Sequence, residues 1–270
     1  MATPFHAVVS DVVTVSPSFI RVTVEDLDVD NFAYTGYDQW FRLFLPQDGQ
    51  ERPVFPQPEP GQRLWEAYYA MPEETRPVVR NYTVRRAYPE RRAIDIDFVI
   101  HGDEGPASRW AQTVTPGAVI GILDQDTMFT PHDDTDWLLL VADETGLPAV
   151  AGVIDSIGDR LPFHAYIETP EAADVQHIAV PDGATLEWRH RDEPGATVHR
   201  PAVDSEQLQK AVESASFPPG RVQALVVGES SMVRAVRRHL VNDRGVGKDQ
   251  VTFCGFWRHH TTPAPTGDEE

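Results

Sequence analysis

The sequence predicts an α+β chain of two domains, an N-terminal antiparallel β-barrel over residues 1–130 and a C-terminal α/β domain with a parallel sheet over residues 131–258. Three observations predict it. At 270 residues the chain is longer than one average domain. Up to about Asp126 it consists of short alternating runs broken by Gly and Pro, the pattern of a small antiparallel barrel. From about Asp136 near-continuous apolar runs alternate with helical patterns, the pattern of a parallel sheet with crossover helices.

In the first half, "FIRVTVEDL", "QWFRLFLP", "RNYTVRRA", "AIDIDFVIH" and "AVIGIL" read as strands. In "AIDIDFVIH" the period of two puts Ile94, Ile96, Phe98 and Ile100 on one face and Asp95, Asp97, Val99 and His101 on the other. The intervening "PQDGQERPVFPQPEPGQRLWEAYYAMPEE" is Pro-rich, then helix-like at "RLWEAYYAM". It reads as an insertion capping one end of the barrel. In the second half "WLLLVA" is a strand buried on both faces. "TGLPAVAGVIDSIG" follows as turn and helix, then "FHAYIET" and "TLEWRH" as strands, "SEQLQKAVESA" as helix, "VQALVVG" as strand, "SSMVRAVRRHLVND" as helix and "VTFCGFW" as the last strand. The tail, residues 259–270, reads as disordered.

Composition narrows the function. The net charge of −19 argues against a nucleic-acid or anionic-membrane partner and makes the position of each arginine informative, because an anionic ligand has to be met locally. No apolar run approaches the ~20 residues of a membrane span, and "MATPFHAVVSDVV" lacks the regions of a signal peptide, so a cytoplasmic protein without membrane insertion is expected. The single cysteine, Cys254, reads as a small buried hydrophobe rather than a nucleophile. His132 with Asp133 and Asp134, or His259 with His260, have no strong metal-ligand spacing, and a GxSxG elbow is absent. No metal site is expected.

Four motifs carry chemistry. In "RNYTVRR", alternation puts Arg80 and Tyr82 on one strand face, with Thr83 opposite. A guanidinium forks onto phosphate oxygens and a phenol ring offers a flat face to a heteroaromatic ring. Alone, the motif fits an exposed arginine beside a half-buried strand tyrosine better than a ligand site. In "HGDEGPASRWA" a Gly-Pro turn leads through Ala107 and Ser108 into a helix whose free amides suit a pyrophosphate, or else form a plain strand-to-helix connection anchored by Trp110. "LLLVADETGLPAVAGVI" is a buried strand, turn and helix, the place where α/β sheets receive ligands. It lacks G-x-G-x-x-G. Thr145, Gly146 and Pro148 suggest a phosphate-accepting turn, whereas the charges of Asp143 and Glu144 oppose phosphate contact. In "ALVVGESSMVRAVRRHLV", Gly228 ends a strand and Ser230 or Ser231 is placed to cap the next helix.

The order of these motifs resembles the ferredoxin-reductase-like flavoproteins. Within them "RNYTVRR", "HGDEGPASRWA", "ADETGLPAV", "VVGESSMVRAVRRHLV" and "GFWR" are similar to the siderophore-interacting proteins, over nearly the whole chain up to Arg258. The resemblance implies an FAD-binding barrel, an NAD(P)H-binding α/β domain and reduction of ferric siderophores. It implies Arg80 on the FAD pyrophosphate, Tyr82 on the isoalloxazine and Thr83 near its N5 edge. His101 and Gly102 would line the flavin site, and Ala107 and Ser108 would support the pyrophosphate. Thr145, Gly146 and Pro148 would form the nicotinamide-side turn and Gly228, Glu229 and Ser230 the wall opposite, with Phe256 and Trp257 closing over the flavin. Arg42, Arg85 and Arg258 are candidates to draw in an anionic ferric chelate. The chain departs from the family where many members have Gly-Pro-x-Gly after the barrel: here "GILDQDTMF" stands in that place, and Phe256 replaces the tyrosine of "GYWR".

The implied reaction takes electrons from NADH or NADPH through FAD to an Fe(III) chelate, with no catalytic acid or base. Glu168, ending the second strand of the α/β domain, favours a ribose diol, while Arg189 and Arg191 favour a 2′-phosphate. The alternatives are a general or ferredoxin-linked flavin reductase, with ferredoxin as partner, and a non-enzymatic siderophore-binding protein.

Overall fold

The structure, a computed structural model, describes residues 3–100, 105–192 and 206–258. The N-terminal unit contains β1 (Phe5–Ser16), β2 (Phe19–Glu25), β3 (Trp40–Leu45), α1 (Leu64–Ala70), β4 (Val78–Thr83), β5 (Arg86–Tyr88), β6 (Ala93–Val99), α2 (Pro106–Thr113) and β7 (Val119–Asp124). Its seven strands form an antiparallel sheet in the order β4-β3-β7-β1-β2-β6-β5. The two edge strands, β4 and β5, are separated in sequence by only Val84 and Arg85. The sheet therefore has to curl until its edges meet. Val84 N donates to Gln39 O (2.9 Å) and Arg85 N to Asp95 O (2.9 Å), bridging the two sides. Phe41, Leu43, Ile94, Ile96, Phe98, Ile120 and Ile122 fill the interior.

The alternation of "AIDIDFV" holds, but its second face is not solvated: Asp95 and Asp97 are each 3% exposed. Asp95 accepts from Thr23 Oγ1 and the Tyr88 hydroxyl, and Asp97 accepts both arms of a bidentate Arg21 contact at 2.6 and 2.8 Å. The inserted α1 does not cover a barrel end. Leu64, Trp65 and Tyr68 pack on Phe44, Val79 and Leu123, outward-facing residues of β3, β4 and β7. Phe44 follows Leu43 and Val79 follows Val78 in the opposite phase from the main core, so the helix lies on the barrel's flank.

The second unit contains β8 (Trp137–Ala142), α3 (Leu147–Ile157), β9 (Phe163–Thr169), β10 (Thr185–His190), α4 (Gln207–Ser214), β11 (Val222–Glu229), α5 (Ser230–Asn242) and β12 (Val251–Trp257). All five strands are parallel, in the order β10-β9-β8-β11-β12. The apolar run of β8 is buried on both faces: Leu138, Leu140 and Ala142 pack with α3, while Trp137, Leu139 and Val141 pack with α4 and α5. Strand order reverses between β8 and β11, the switch point at which such sheets open a crevice.

The two units share a core and a set of polar welds. Phe19 and Phe129 belong to the α3 cluster. Gly152 of α3 lies so close to the Tyr37 carbonyl that a Cβ there would sit 2.2 Å from its oxygen. Ser156 Oγ accepts from Tyr37 N (2.6 Å), and the fully buried Asp174 accepts from Ser16 Oγ, Ser18 N and Ser18 Oγ at 2.7–2.8 Å. No helix among the described residues is long and apolar enough to cross a membrane.

Candidate functional site

On β4, Arg80 and Tyr82 share one face and are half-buried, while on the other face Val79 and Thr83 are buried and Asn81 between them is exposed. The Tyr82 ring packs on Phe98 at 4.4 Å between centroids, and Phe98 on Trp110 at 5.5 Å, so an aromatic row runs from β4 across β6 to α2. Burial pushes the Tyr82 phenol well above its ordinary value, against a smaller opposing effect of the Arg80 charge, so it stays a neutral hydroxyl. Arg80 Nη1 donates to the adjacent Val79 carbonyl (2.7 Å), and no carboxylate among the described residues lies within ion-pairing distance of it. Arg21, Arg85, Arg91, Arg92, Arg189, Arg191 and Arg221 all have carboxylate partners.

α2 packs against β6 and β2; it begins at Gly105 and Pro106, and Ala107 and Ser108 of its first turn are buried. A pre-set φ at Pro106 starts the helix, and Gly105 at the N-cap position carries no side chain to cap it. His101 and Gly102 lie outside the described residues.

At the switch point the predicted residues converge on Asp143. The Asp143 side chain is fully buried just beyond β8. Its Oδ1 accepts from Thr145 N (2.9 Å), Thr145 Oγ1 (2.6 Å) and Gly146 N (3.3 Å). Its Oδ2 accepts from Glu229 N (2.7 Å) and Trp257 Nε1 (3.0 Å). Thr145, Gly146 and Pro148 at the start of α3 are thereby joined to Gly228 and Glu229 at the end of β11 and to Trp257 at the end of β12. Glu229, 1% exposed, caps α5 by accepting from the amides of Ser231 and Met232 and from the Ser231 hydroxyl. Ser230 therefore is not the cap; its Oγ donates to the Trp257 carbonyl (2.8 Å). Phe256 is half-buried and packs on the α3 core, as does Cys254, whose side chain is half-buried rather than buried. The Asp-x-Thr spacing is an Asx-turn signal visible in the sequence; the partners of Oδ2 come from strands far away in the chain and are not.

A second buried cluster lies at the carboxyl ends of β8, β9 and β10. Arg191 makes a bidentate contact with Glu144 (2.6 and 2.7 Å) and a third with Glu168 (3.0 Å), all three residues being less than 8% exposed. Burial, then the neighbouring Asp143 charge, raise the Glu144 carboxyl to about 7 despite Arg191. Burial opposes the Arg191 charge, but its two carboxylates win and raise it above its ordinary value. Arg191 is thus engaged by both acids, and Arg189 pairs with Glu187 at the surface.

The three arginines expected around an anionic chelate do not sit together. Arg42 stacks over Trp65 at 4.2 Å and donates to Gln125, on the barrel flank under α1. Arg85 is neither surface nor open to a ligand: it is 3% exposed and pairs with Asp155 of α3 at 3.0 Å, because the β4–β5 link runs beneath that helix. Arg258 is exposed next to Trp257. A surface cavity of about 300 Å³ lies elsewhere, between β9, β10 and α4, lined by His164, Tyr166, Glu187 and Arg189; no candidate site residue other than Arg189 borders it. No cluster of three His, Cys, Asp or Glu side chains placed to hold a metal occurs among the described residues.

Comparison with known proteins follows the same two-part division. Residues 8–127 match the model of the siderophore-interacting FAD-binding domain, and residues 135–260 that of the siderophore-interacting protein. The crystal structure of a siderophore utilization protein from T. fusca superposes with a TM-score of 0.81 at 30% identity, over 96% of this chain and 94% of that one. The ferric vibriobactin reductase ViuB of Vibrio cholerae is 25% identical over 90% of this chain and 85% of its own. The NADPH-dependent ferric-chelate reductase of Escherichia coli is 28% identical over 90% of this chain and 88% of its own. Motif order, barrel, switch point and both domain models agree, and the chain belongs to the siderophore-interacting protein family.

Proposed function

We propose that this protein is an FAD-dependent ferric-siderophore reductase that takes electrons from NADH or NADPH. The observation that carries the reading is Arg80: a half-buried guanidinium with no carboxylate partner among the described residues, on the strand face of Tyr82, whose ring connects through Phe98 to Trp110 of α2, in a chain of net charge −19. These groups fit a dinucleotide whose pyrophosphate needs a fork and free amides and whose ring needs a flat apolar neighbour. The two relatives named as ferric reductases support the substrate class.

In this reading Arg80 and the α2 amides around Ala107 and Ser108 bind the pyrophosphate. Tyr82, packed on Phe98 at a tilt of 39°, supports the ring, and Thr83, with His101 and Gly102, borders it. FAD, when bound, supplies the conversion between two-electron donor chemistry and one-electron reduction of Fe(III). The turn at Thr145, Gly146 and Pro148 and the wall at Gly228, Glu229 and Ser230 frame the donor's approach at the switch point. Phe256 and Trp257 exclude water from the ring, and Arg258 attracts the anionic chelate. Iron needs no protein ligand, since it is the substrate's cargo, and the Fe(II) product is held less tightly by hard anionic oxygens.

The test is the visible spectrum of the purified protein, followed by anaerobic addition of NADH or NADPH and a ferric siderophore. Bound flavin, bleaching by either nucleotide and formation of Fe(II) are expected. Bleaching by reduced ferredoxin alone would move the reading to a ferredoxin-linked reductase. A protein that binds the chelate but takes up no FAD would overturn it.

A further inference from the structure

We propose that Asp143 is a positioning residue that fixes the plane of the Trp257 indole against the flavin. The proposal rests on the reading above that FAD lies under Trp257, and it adds a role for a carboxylate that the motifs do not assign.

Capping the turn into α3 requires one oxygen of Asp143, and Oδ1 alone meets Thr145 N, Thr145 Oγ1 and Gly146 N. Oδ2 is directed away from its own loop, to Glu229 N and Trp257 Nε1. The backbone around it is cleared for that approach. Gly228 has φ +134°, and a Cβ there would lie 2.6 Å from the carboxylate carbon. Along β12 the pairing passes from Gly255 opposite Gly228 to Trp257 opposite Glu229, so Phe256 is an extra residue that re-aims the side chain after it. Ser230 Oγ holds the Trp257 carbonyl, and a Cβ at Gly255 would meet that hydroxyl at 2.4 Å. Trp257 is therefore held at its main chain by Ser230 and at its ring nitrogen by Asp143. Two fixed points determine both side-chain torsions. A half-buried aromatic on the last strand, free to rotate otherwise, presents one plane to the ring it covers.

The geometry also dictates what Asp143→Asn does. An amide has one accepting oxygen, and the three donors on the Oδ1 side keep it there. The NH₂ then faces Glu229 N and Trp257 Nε1, donor against donor. The substitution thus preserves the turn into α3 and releases the indole.

The experiment uses the flavin-loaded protein. The Trp257 indole N–H resonance, identified by its loss in Trp257→Phe, is followed together with flavin fluorescence. In the wild type the indole N–H exchanges slowly with solvent. In Asp143→Asn its resonance moves toward the position of a free indole. Flavin fluorescence rises at least twofold in Asp143→Asn and in Trp257→Phe, and the double variant rises no further than Trp257→Phe alone. The proposal is overturned by fast indole exchange in the wild type, a measurement that needs no variant. It is also overturned by an unmoved indole in Asp143→Asn, or by effects that add in full in the double variant. Unchanged fluorescence in Trp257→Phe would remove Trp257 from the flavin and sink the proposal while leaving FAD binding intact. A wild-type protein that takes up no flavin would remove the underlying reading and the proposal with it.

Discussion

The Glu144–Arg191–Glu168 cluster makes stability depend on pH in a direction opposite to that of an ordinary salt-bridged acid. Glu144 lies at about 7 in the folded chain against an ordinary 4.5. The folded state therefore holds a proton that the unfolded chain has released, and between these two values stability falls as pH rises. At about 1.4 kcal/mol per pH unit, the loss attributable to this carboxyl reaches about 3 kcal/mol by pH 8. Glu144→Gln removes the titrating group and leaves Arg191 paired with Glu168. Urea unfolding of both proteins at pH 5, 6, 7 and 8 reads the effect. The stability of the variant relative to the wild type should improve by about 3 kcal/mol from pH 4.5 to pH 8, most of it between pH 5 and 7. The absolute offset depends on how well the amide replaces a bidentate acceptor, so the slope is the result that counts. A difference independent of pH, or one that worsens for the variant as pH rises, would refute the reasoning. It would mean that the Arg191 contact outweighs burial and the Asp143 charge, and keeps Glu144 ionised throughout.

Other perturbations test the site and its support. Arg80→Ala combined with Tyr82→Ala should give folded protein with FAD affinity reduced roughly 100-fold or more, since a charge-assisted phosphate contact alone contributes about 1.5–3 kcal/mol; full flavin content after gel filtration would count against the β4 assignment. Gly152→Ala places a Cβ 2.2 Å from the Tyr37 carbonyl oxygen, with backbone on both sides of the clash. The strain of about 1–3 kcal/mol should exceed the helix-propensity gain of about 1 kcal/mol. A scanning calorimetry midpoint equal to or above that of the wild type would contradict the close docking of α3 on the barrel.

Much of this fold is legible because its strands obey one period each. The alternation of β6 and the unbroken apolar run of β8 identify the two sheet types from composition alone. Two strands are not legible. β1, "FHAVVSDVVTVS", shifts register between Val9 and Asp11 and again near Ser16, which breaks the period of two. β5 has three residues, too short to show any period. The same division applies to the site. Arg80, Tyr82 and the start of α2 are local motifs and stand where their spacing puts them. The Asp143 hub depends on strand order, since the ends of β8, β11 and β12 come together only where the sheet reverses direction, and the Arg191 cluster on the parallel pairing of β8, β9 and β10. Arg85 shows the opposite error: next to the candidate strand β4 in sequence, its side chain is captured by Asp155 from the other domain.

An acidic chain has to place its carboxylates somewhere, and here several lie inside, on backbone amides. Asp143 occupies the amides leading into α3, Glu229 those of α5, Asp174 that of Ser18, and Asp38 those of Met128 and Phe129. The first two matter for function. The N-termini of α3 and α5 meet the switch point, where a nucleotide's phosphates would otherwise find free amides. Internal acids have already filled those positions. The start of α2 differs, since Gly105 at its N-cap position carries no capping side chain. In the proposed reading, anion binding falls to the barrel rather than to these helix starts of the parallel sheet. A flavin retained through every turnover needs the stronger seat, and a donor that must leave after each hydride needs the weaker. The asymmetry between the two domains thus follows from where the chain has used its own carboxylates, and it argues for the barrel as the place of the resident cofactor.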